Sequence, residues 1–134
     1  DSARKLTGKG LKQAQKIAEW LKPKLPKNTR IIVSPAKRTQ QTAKALEDEF
    51  ETVKEIGPGA SAKAVLAAAD WPDAKGAVLV VGHQPTLGEV AAFLMSGEAG
   101  EWSVRKGAVW WFSHKKNEGV TETVLRSSIS PDML

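Results

Sequence analysis

The sequence predicts an α/β fold of three layers, with helices on both faces of a mixed, mostly parallel central sheet and an antiparallel hairpin at the C-terminus. Two apolar segments, 30–35 and 76–83, alternate with amphipathic helical segments. Two further strand-like segments, 108–115 and 121–129, flank the turn-like stretch "KNEG" and predict the hairpin. A chain of 134 residues is long enough for one core, so we expect a single domain over 1–134.

The first helix and the first strand have clear boundaries. Thr7 is a plausible N-cap, and Pro23 ends the helix that follows. Its expected buried face consists of Leu11, Ala14, Ile17, Ala18 and Leu21. The segment "RIIVSP" at 30–35 is rich in β-branched residues and predicts a buried strand.

Three further helices and a second strand are predicted in order. A helix over 36–50 is expected to turn one set of side chains inward, namely Thr42, Ala45, Leu46 and Phe50. Ser61 can cap a helix that runs to Ala69, after the loop "GPGAS". The strand at 76–83 is nearly all apolar, as expected for a strand covered on both faces, and a helix over 86–95 follows it.

Composition excludes several functional classes. The chain has no cysteine, which excludes a disulfide scaffold, a thiolate metal site and a cysteine nucleophile. The tripeptide "WPD" at 71–73 also occurs in the acid loop of protein tyrosine phosphatases, but these enzymes attack with cysteine, so we interpret it as the end of a helix. The two histidines are far apart in the sequence, and we expect neither a metal nor any other cofactor.

The charge favours an anionic ligand. The formal net charge is +5, from 20 basic and 15 acidic residues. The lysines follow an amphipathic helix and its exit rather than clustering with aromatic residues, so nucleic-acid binding is only a distant alternative. No apolar run approaches the roughly 20 residues of a membrane span, and no signal peptide is visible. We therefore expect a cytoplasmic protein without a membrane partner.

Two side chains at predicted strand ends could meet in one pocket. Arg38 lies on the first turn of a helix that follows one strand, and His83 directly follows the other. Parallel strands have their carboxyl ends at the same edge of a sheet, where helix-start amides and a guanidinium would bind phosphate. From the residues alone, Arg38 could also be merely solvated, and His83 could be structural.

The segments "IIVSPAKRTQQTA" and "VLVVGHQPTLGEV" resemble the two internal signatures of the histidine phosphatase superfamily. The opening "DSARKLTGKGLKQA" resembles the Arg-x-Leu-Thr-x-x-Gly stretch of its small bacterial branch, the phosphohistidine phosphatases of the SixA type. The resemblance covers most of the chain. It implies a phosphatase in which a histidine attacks phosphorus and water then hydrolyses the phosphohistidine.

The resemblance also implies roles for individual residues. Arg38 and the second histidine, His83, would hold the phosphoryl oxygens, His83 by donating a hydrogen bond and, when protonated, a charge. Gln84 and Pro85 would shape the following turn, and Gln84 would also contact the substrate. Arg4 could reach the phosphate or be solvated, and Glu55 is the nearest candidate for a general acid. The expected substrate is a phosphorylated protein or a small phosphorylated compound, with inorganic phosphate as product.

The family's nucleophile lies in an Arg-His-Gly motif on a first strand that we expect to be missing from this sequence. His114, in a late strand, cannot be this residue, and Trp110 and Trp111 are interpreted as sheet packing. Either a segment is omitted, which we favour because a central strand is hard to delete, or the chain has no nucleophile. The second case predicts a different function, a non-catalytic module that binds phosphate or a phosphoprotein.

Overall fold

The computed structural model describes residues 2–134, without the side chain of Asn117, so Asp1 of the predicted domain lies outside the described residues. Within residues 2–134, four α-helices and five strands follow one another. The helices are α1 (Gly8–Leu21), α2 (Lys37–Leu46), α3 (Ala62–Ala68) and α4 (Thr86–Ser96). The strands are β1 (Arg30–Val33), β2 (Glu51–Thr52), β3 (Val78–Val81), β4 (Val109–Asn117) and β5 (Val120–Ile129). Over residues 2–134, no helix combines the length and the apolar character needed to cross a membrane.

The strands form two sheets within the described residues. The first has the order β2-β1-β3 with all strands parallel, and the second is the antiparallel β4-β5 hairpin. Glu118 and Gly119 connect the hairpin strands at positive φ, which gives the tight turn predicted from "KNEG". The α/β class with parallel strands and a C-terminal hairpin is confirmed. The central sheet, predicted as mixed, is all parallel over the described residues, because the hairpin strands pair with each other and not with β1, β2 or β3.

Helices cover both faces of the parallel sheet, because β1 alternates its side chains between two cores. Ile31 and Val33 pack with residues of α1 and α2, whereas Ile32 packs with Ile56 and with Val65 of α3. This alternation follows from the two-residue repeat of a strand. β1 is therefore the middle strand of a sheet that is covered on both faces, and its carboxyl end is enclosed by protein on both sides.

α1 agrees with its predicted boundaries but not with its whole predicted face. The Thr7 hydroxyl accepts the Gly10 N–H at 3.1 Å, which confirms the N-cap. The buried side chains begin at Ala14 and include Leu21, whereas Leu11 is 41% exposed. The prediction for Leu11 is wrong because this residue lies in the first turn, before the part of the helix that packs on the core.

α2 is shorter than predicted, and it turns a different face toward the core than predicted. It ends at Leu46, and its buried residues are Thr39, Ala43 and Leu46, whereas Ala45 is exposed. Thr42 is half-buried, and Phe50 packs on the core from beyond the helix. The acidic run 47–49 follows Leu46 directly, and negative charge at a helix C-terminus opposes the helix dipole. This run accounts for the early end of the helix.

β3 is less covered than predicted, since all four of its residues are half-buried. It pairs with β1 through the register Arg30 to Val78 and Val33 to Val81, and it is the last strand in the order of its sheet. One side of an edge strand lacks the neighbour that a central strand has. The short strand still carries the chain to the same edge as β1, where His83 follows it.

Candidate phosphate site

The site lies at the carboxyl ends of β1 and β3, where the predicted pair of side chains meets. Arg38 Nη2 lies 3.1 Å from His83 Nδ1. His83 is 7% exposed, and Arg38 is half-buried in the first turn of α2. The parallel register of β1 and β3 brings them together from positions 45 residues apart. The predicted juxtaposition of Arg38 and His83 is therefore present in the structure.

Ser34 contacts the other side of the histidine ring. Its Oγ lies 2.6 Å from His83 Nε2, and it also accepts the Ala36 N–H at 3.2 Å. Ser34 is completely buried. Both nitrogens of the His83 ring thus have protein partners in this arrangement. The predicted donation of a His83 hydrogen bond to a phosphoryl oxygen would require the ring to release one of these partners, and it stays a prediction.

Burial and a neighbouring charge favour the neutral form of His83. Burial lowers the pKa of His83 from its ordinary value of 6.5, and the nearby positive charge of Arg38 lowers it further. A neutral imidazole beside a guanidinium makes Arg38 the fixed positive charge of the site. Such a group is suited to a dianionic phosphoryl group, because arginine offers paired N–H donors and stays protonated.

The amides at the start of α2 are partly used by the protein itself. The Lys37 N–H donates to the Ser2 carbonyl at 2.8 Å, and the Ala36 N–H is bonded to Ser34 Oγ. These two amides are therefore not available as phosphate donors in this arrangement. The segment around Arg4 lies beside α2, since the Leu6 N–H also donates to Gln41 Oε1 of this helix at 2.7 Å. Arg4 is exposed alongside the helix that carries Arg38.

Gln84 and Glu55 follow strands that end at the same edge, but the described contacts do not join them to His83. Gln84 Oε1 accepts the Gly88 N–H at 2.8 Å, so the side chain holds the start of α4 and shapes the turn. Glu55 is exposed in a short 3₁₀-helix, Lys54–Ile56, which follows β2. Neither side chain is a hydrogen-bond partner of His83 among the described contacts. Their roles toward a substrate stay predictions.

His114 lies in a different environment. Its ring meets Trp71 edge-on, with ring centres 5.3 Å apart and planes at 72°, and its Nδ1 lies 3.4 Å from Thr123 Oγ1. Trp71 belongs to the "WPD" tripeptide, which follows the end of α3 as predicted. Trp111 packs against the core, and Trp110 lies between the rings of Trp102 and Phe112, which agrees with a packing role.

Ser34, Thr39 and Gln40 form a network that the sequence did not predict. Thr39 Oγ1 and Gln40 Nε2 both donate to the Ser34 carbonyl at 2.9 Å, and Gln40 Nε2 also lies 3.0 Å from Thr52 Oγ1. One signal for Ser34 was available: a small hydroxyl residue directly follows the apolar strand residues of β1. Its contact with a histidine 49 residues later could not be read from spacing.

Comparison with known proteins identifies relatives of this chain. A profile of the Histidine phosphatase superfamily (branch 1) matches residues 2–61, which include Arg38. Phosphohistidine phosphatase SixA of Escherichia coli (strain K12) is 32% identical over 106 residues, covering 73% of this chain. The profile and this relative show a likeness to the histidine phosphatase superfamily. A further relative, the Phosphohistidine phosphatase SixA homolog of Haemophilus influenzae, is 36% identical over 109 residues, covering 70% of this chain. Each match covers 66% of the relative, so the chain spans slightly less than two thirds of these proteins.

Two solved structures share the fold of this chain. The protein histidine phosphatase SixA, solved in complex with tungstate, superposes with a TM-score of 0.74 and 27% identity, over 99% of this chain and 88% of that one. A mutant phosphoserine phosphatase from Entamoeba histolytica, in complex with phosphoserine, gives a TM-score of 0.70 at 16% identity, over 97% and 86% of the two chains. The second match supports the fold alone. Among these proteins, the likeness in sequence is to the SixA type.

Proposed function

We propose that the protein is a metal-independent phosphohistidine phosphatase and that Arg38 and His83 belong to its phosphoryl-binding pocket. The contact of 3.1 Å between Arg38 Nη2 and His83 Nδ1 carries this proposal, because it brings a fixed positive charge and a titratable ring to one sheet edge. The names of the SixA relatives support phosphohistidine as the substrate class. A phosphorylated protein is the proposed partner, and the cytoplasm is the proposed compartment.

The reaction we propose has two steps. A histidine nitrogen attacks phosphorus while the substrate's P–N bond breaks, and the leaving imidazole takes a proton. Water then attacks the phosphohistidine and releases phosphate and the free histidine. Arg38 contributes by neutralising the charge that spreads over the phosphoryl oxygens during both transfers. An imidazole leaving group is readily protonated near neutral pH, so an acid such as Glu55 has a small part in this scheme.

We propose that the attacking histidine is not one of the two histidines in these 134 residues. His83 Nε2 is bonded to the buried Ser34, and His114 packs against Trp71 in the other sheet. Neither ring offers a nitrogen at the sheet edge for attack on phosphorus. The nucleophile of the superfamily, in its Arg-His-Gly motif, would then come from sequence outside these residues.

The same observation favours a second candidate function, a phosphate-binding or phosphoprotein-binding module. A pocket with Arg38 and no nucleophile would bind a phosphoryl group without turnover. Intact-mass spectrometry of the whole natural protein, before and after brief mixing with phosphoramidate, separates the two candidates. We expect an acid-labile phosphate adduct for the enzyme. Tungstate binding without any adduct would contradict the enzyme and support the binding module.

A further inference from the structure

The N–H, the carbonyl and the hydroxyl of Ser34 all take part in hydrogen bonds. Its N–H donates to the Val81 carbonyl at 3.0 Å, which ties it to β3. Its carbonyl accepts from Thr39 and Gln40, and its Oγ contacts the Ala36 N–H and His83 Nε2. The residue is fully buried, so water does not compete for these groups. These hydrogen bonds fix the backbone of Ser34 and, with it, the position of the Ser34 hydroxyl.

The hydrogen bonds around His83 determine which ring nitrogen carries the proton. A guanidinium can only donate, so Arg38 Nη2 donates to His83 Nδ1, which must carry a lone pair. A ring with an unprotonated Nδ1 is neutral and carries its hydrogen on Nε2. The Nε2–H then points to Ser34 Oγ at 2.6 Å and donates to it. The two contacts are consistent only with the neutral Nε2–H form of the ring.

We infer that Ser34 is a positioning residue: its hydroxyl oxygen accepts the Nε2–H of His83 and so leaves Nδ1 as the acceptor that orients Arg38. The inference rests on the proposed function for its catalytic meaning, but the chain of contacts from Ser34 to His83 to Arg38 stands on geometry alone. Ser34 touches no substrate in this scheme. It acts through the ring, by fixing both its proton and its orientation before a phosphoryl group arrives.

The test is the protonation state of His83, measured by NMR of the protein labelled with ¹⁵N-histidine, well above the ordinary pKa of histidine. With two histidines in the chain, His114 serves as an internal reference. We expect the Nε2–H form for His83, with slow exchange of that hydrogen. A His83 ring protonated at Nδ1 would overturn the inference without any variant.

Variants at position 34 then test whether the Ser34 hydroxyl determines the protonation state of His83. Ser34→Ala is expected to lose the slowly exchanging Nε2–H signal, and Ser34→Thr, which keeps the hydroxyl, to restore it. The matched control is Ser61→Ala, since Ser61 Oγ also accepts a backbone N–H, from Ala64 at 3.1 Å, but lies at the start of α3. This control should keep the His83 signal. An unchanged His83 signal in Ser34→Ala would overturn the inference.

Anion binding provides the second readout and separates this inference from the proposed function. Tungstate affinity is expected to fall by about three- to tenfold in Ser34→Ala, the size of one lost hydrogen bond, and to be unchanged in Ser61→Ala. Failure of the unsubstituted chain to bind tungstate, with the expected His83 signals, would contradict the phosphate site but not the role of Ser34. Equal tungstate affinity in Ser34→Ala and the unsubstituted chain would show that Ser34 does not act through Arg38.

Discussion

The two histidines of this chain show how the same side chain is fitted for different tasks. His83 follows a parallel strand, is 7% exposed, and has Ser34 and Arg38 on its two ring nitrogens. His114 lies within an antiparallel strand, is half-buried, and packs edge-on against Trp71. The first has polar partners that define its proton and charge, whereas the main contact of the second is an aromatic ring. The partners, rather than the depth of burial alone, make His83 the proposed site residue and indicate a packing role for His114.

Removal of Arg38, a partner of His83 but not of His114, is expected to cause the largest loss of activity. Arg38→Ala in the whole natural protein should lower turnover of a phosphohistidine substrate by about 10²- to 10³-fold, because the main positive charge that faces the phosphoryl oxygens is lost. Steady-state kinetics measure this effect. Arg126→Ala is a matched control, since Arg126 stacks over Trp111 in the hairpin. Equal losses in the two variants would indicate general destabilisation and contradict the site.

Replacement of His83 should have the next largest effect on activity. His83→Gln keeps an amide near the position of Nε2 but removes the acceptor for Arg38, and we expect turnover to fall by about 10²-fold. His114→Gln, assayed in parallel, should retain normal kcat and KM. A normal rate for His83→Gln in the whole natural protein would remove this ring from the site.

The pH dependence of stability should separate the two histidines without any substrate. The pKa of folded His83 lies below 6.5, so below that pH the unfolded chain binds a proton that the folded chain does not. The contribution of His83 to the free energy of unfolding is therefore fully present above pH 6.5 and decreases as the pH falls toward the folded pKa. Urea unfolding at a series of pH values measures this decrease.

His83→Gln should lose that part of the pH dependence, whereas His114→Gln should keep it. A curve of unchanged shape in His83→Gln would show that burial and Arg38 do not hold the ring neutral.

The smallest effect is expected in the hairpin. His114→Ala removes the edge-on contact with Trp71, and the free energy of unfolding should fall by about 0.5–1.5 kcal/mol beyond the effect of lost area. Denaturant unfolding measures this change, while tungstate affinity should be unchanged. A tungstate affinity that falls along with stability would mean that the hairpin histidine contributes to the site after all.

Much of the fold could be predicted because local chemistry decides it. Thr7 and Ser61 cap helices in the structure as expected, since a side-chain oxygen before an amphipathic segment satisfies the first free N–H groups. The tight turn at Glu118 and Gly119 also follows from local sequence. The predicted end of α2 at Phe50 is wrong, because an apolar residue at this position favours a longer helix whereas the acidic residues before it disfavour one.

The sequence by itself determined which chemistry is possible: no cysteine, a basic balance, and an arginine and a histidine that each follow an apolar strand. Only the tertiary structure decided that Ser34 meets His83 and that the ring thereby becomes a neutral acceptor for Arg38. The exposure of Leu11 and the partial cover of β3 were likewise decided by packing. Local sequence sets propensity and capping, whereas hydrogen bonds between residues distant in sequence depend on the strand register that brings them together.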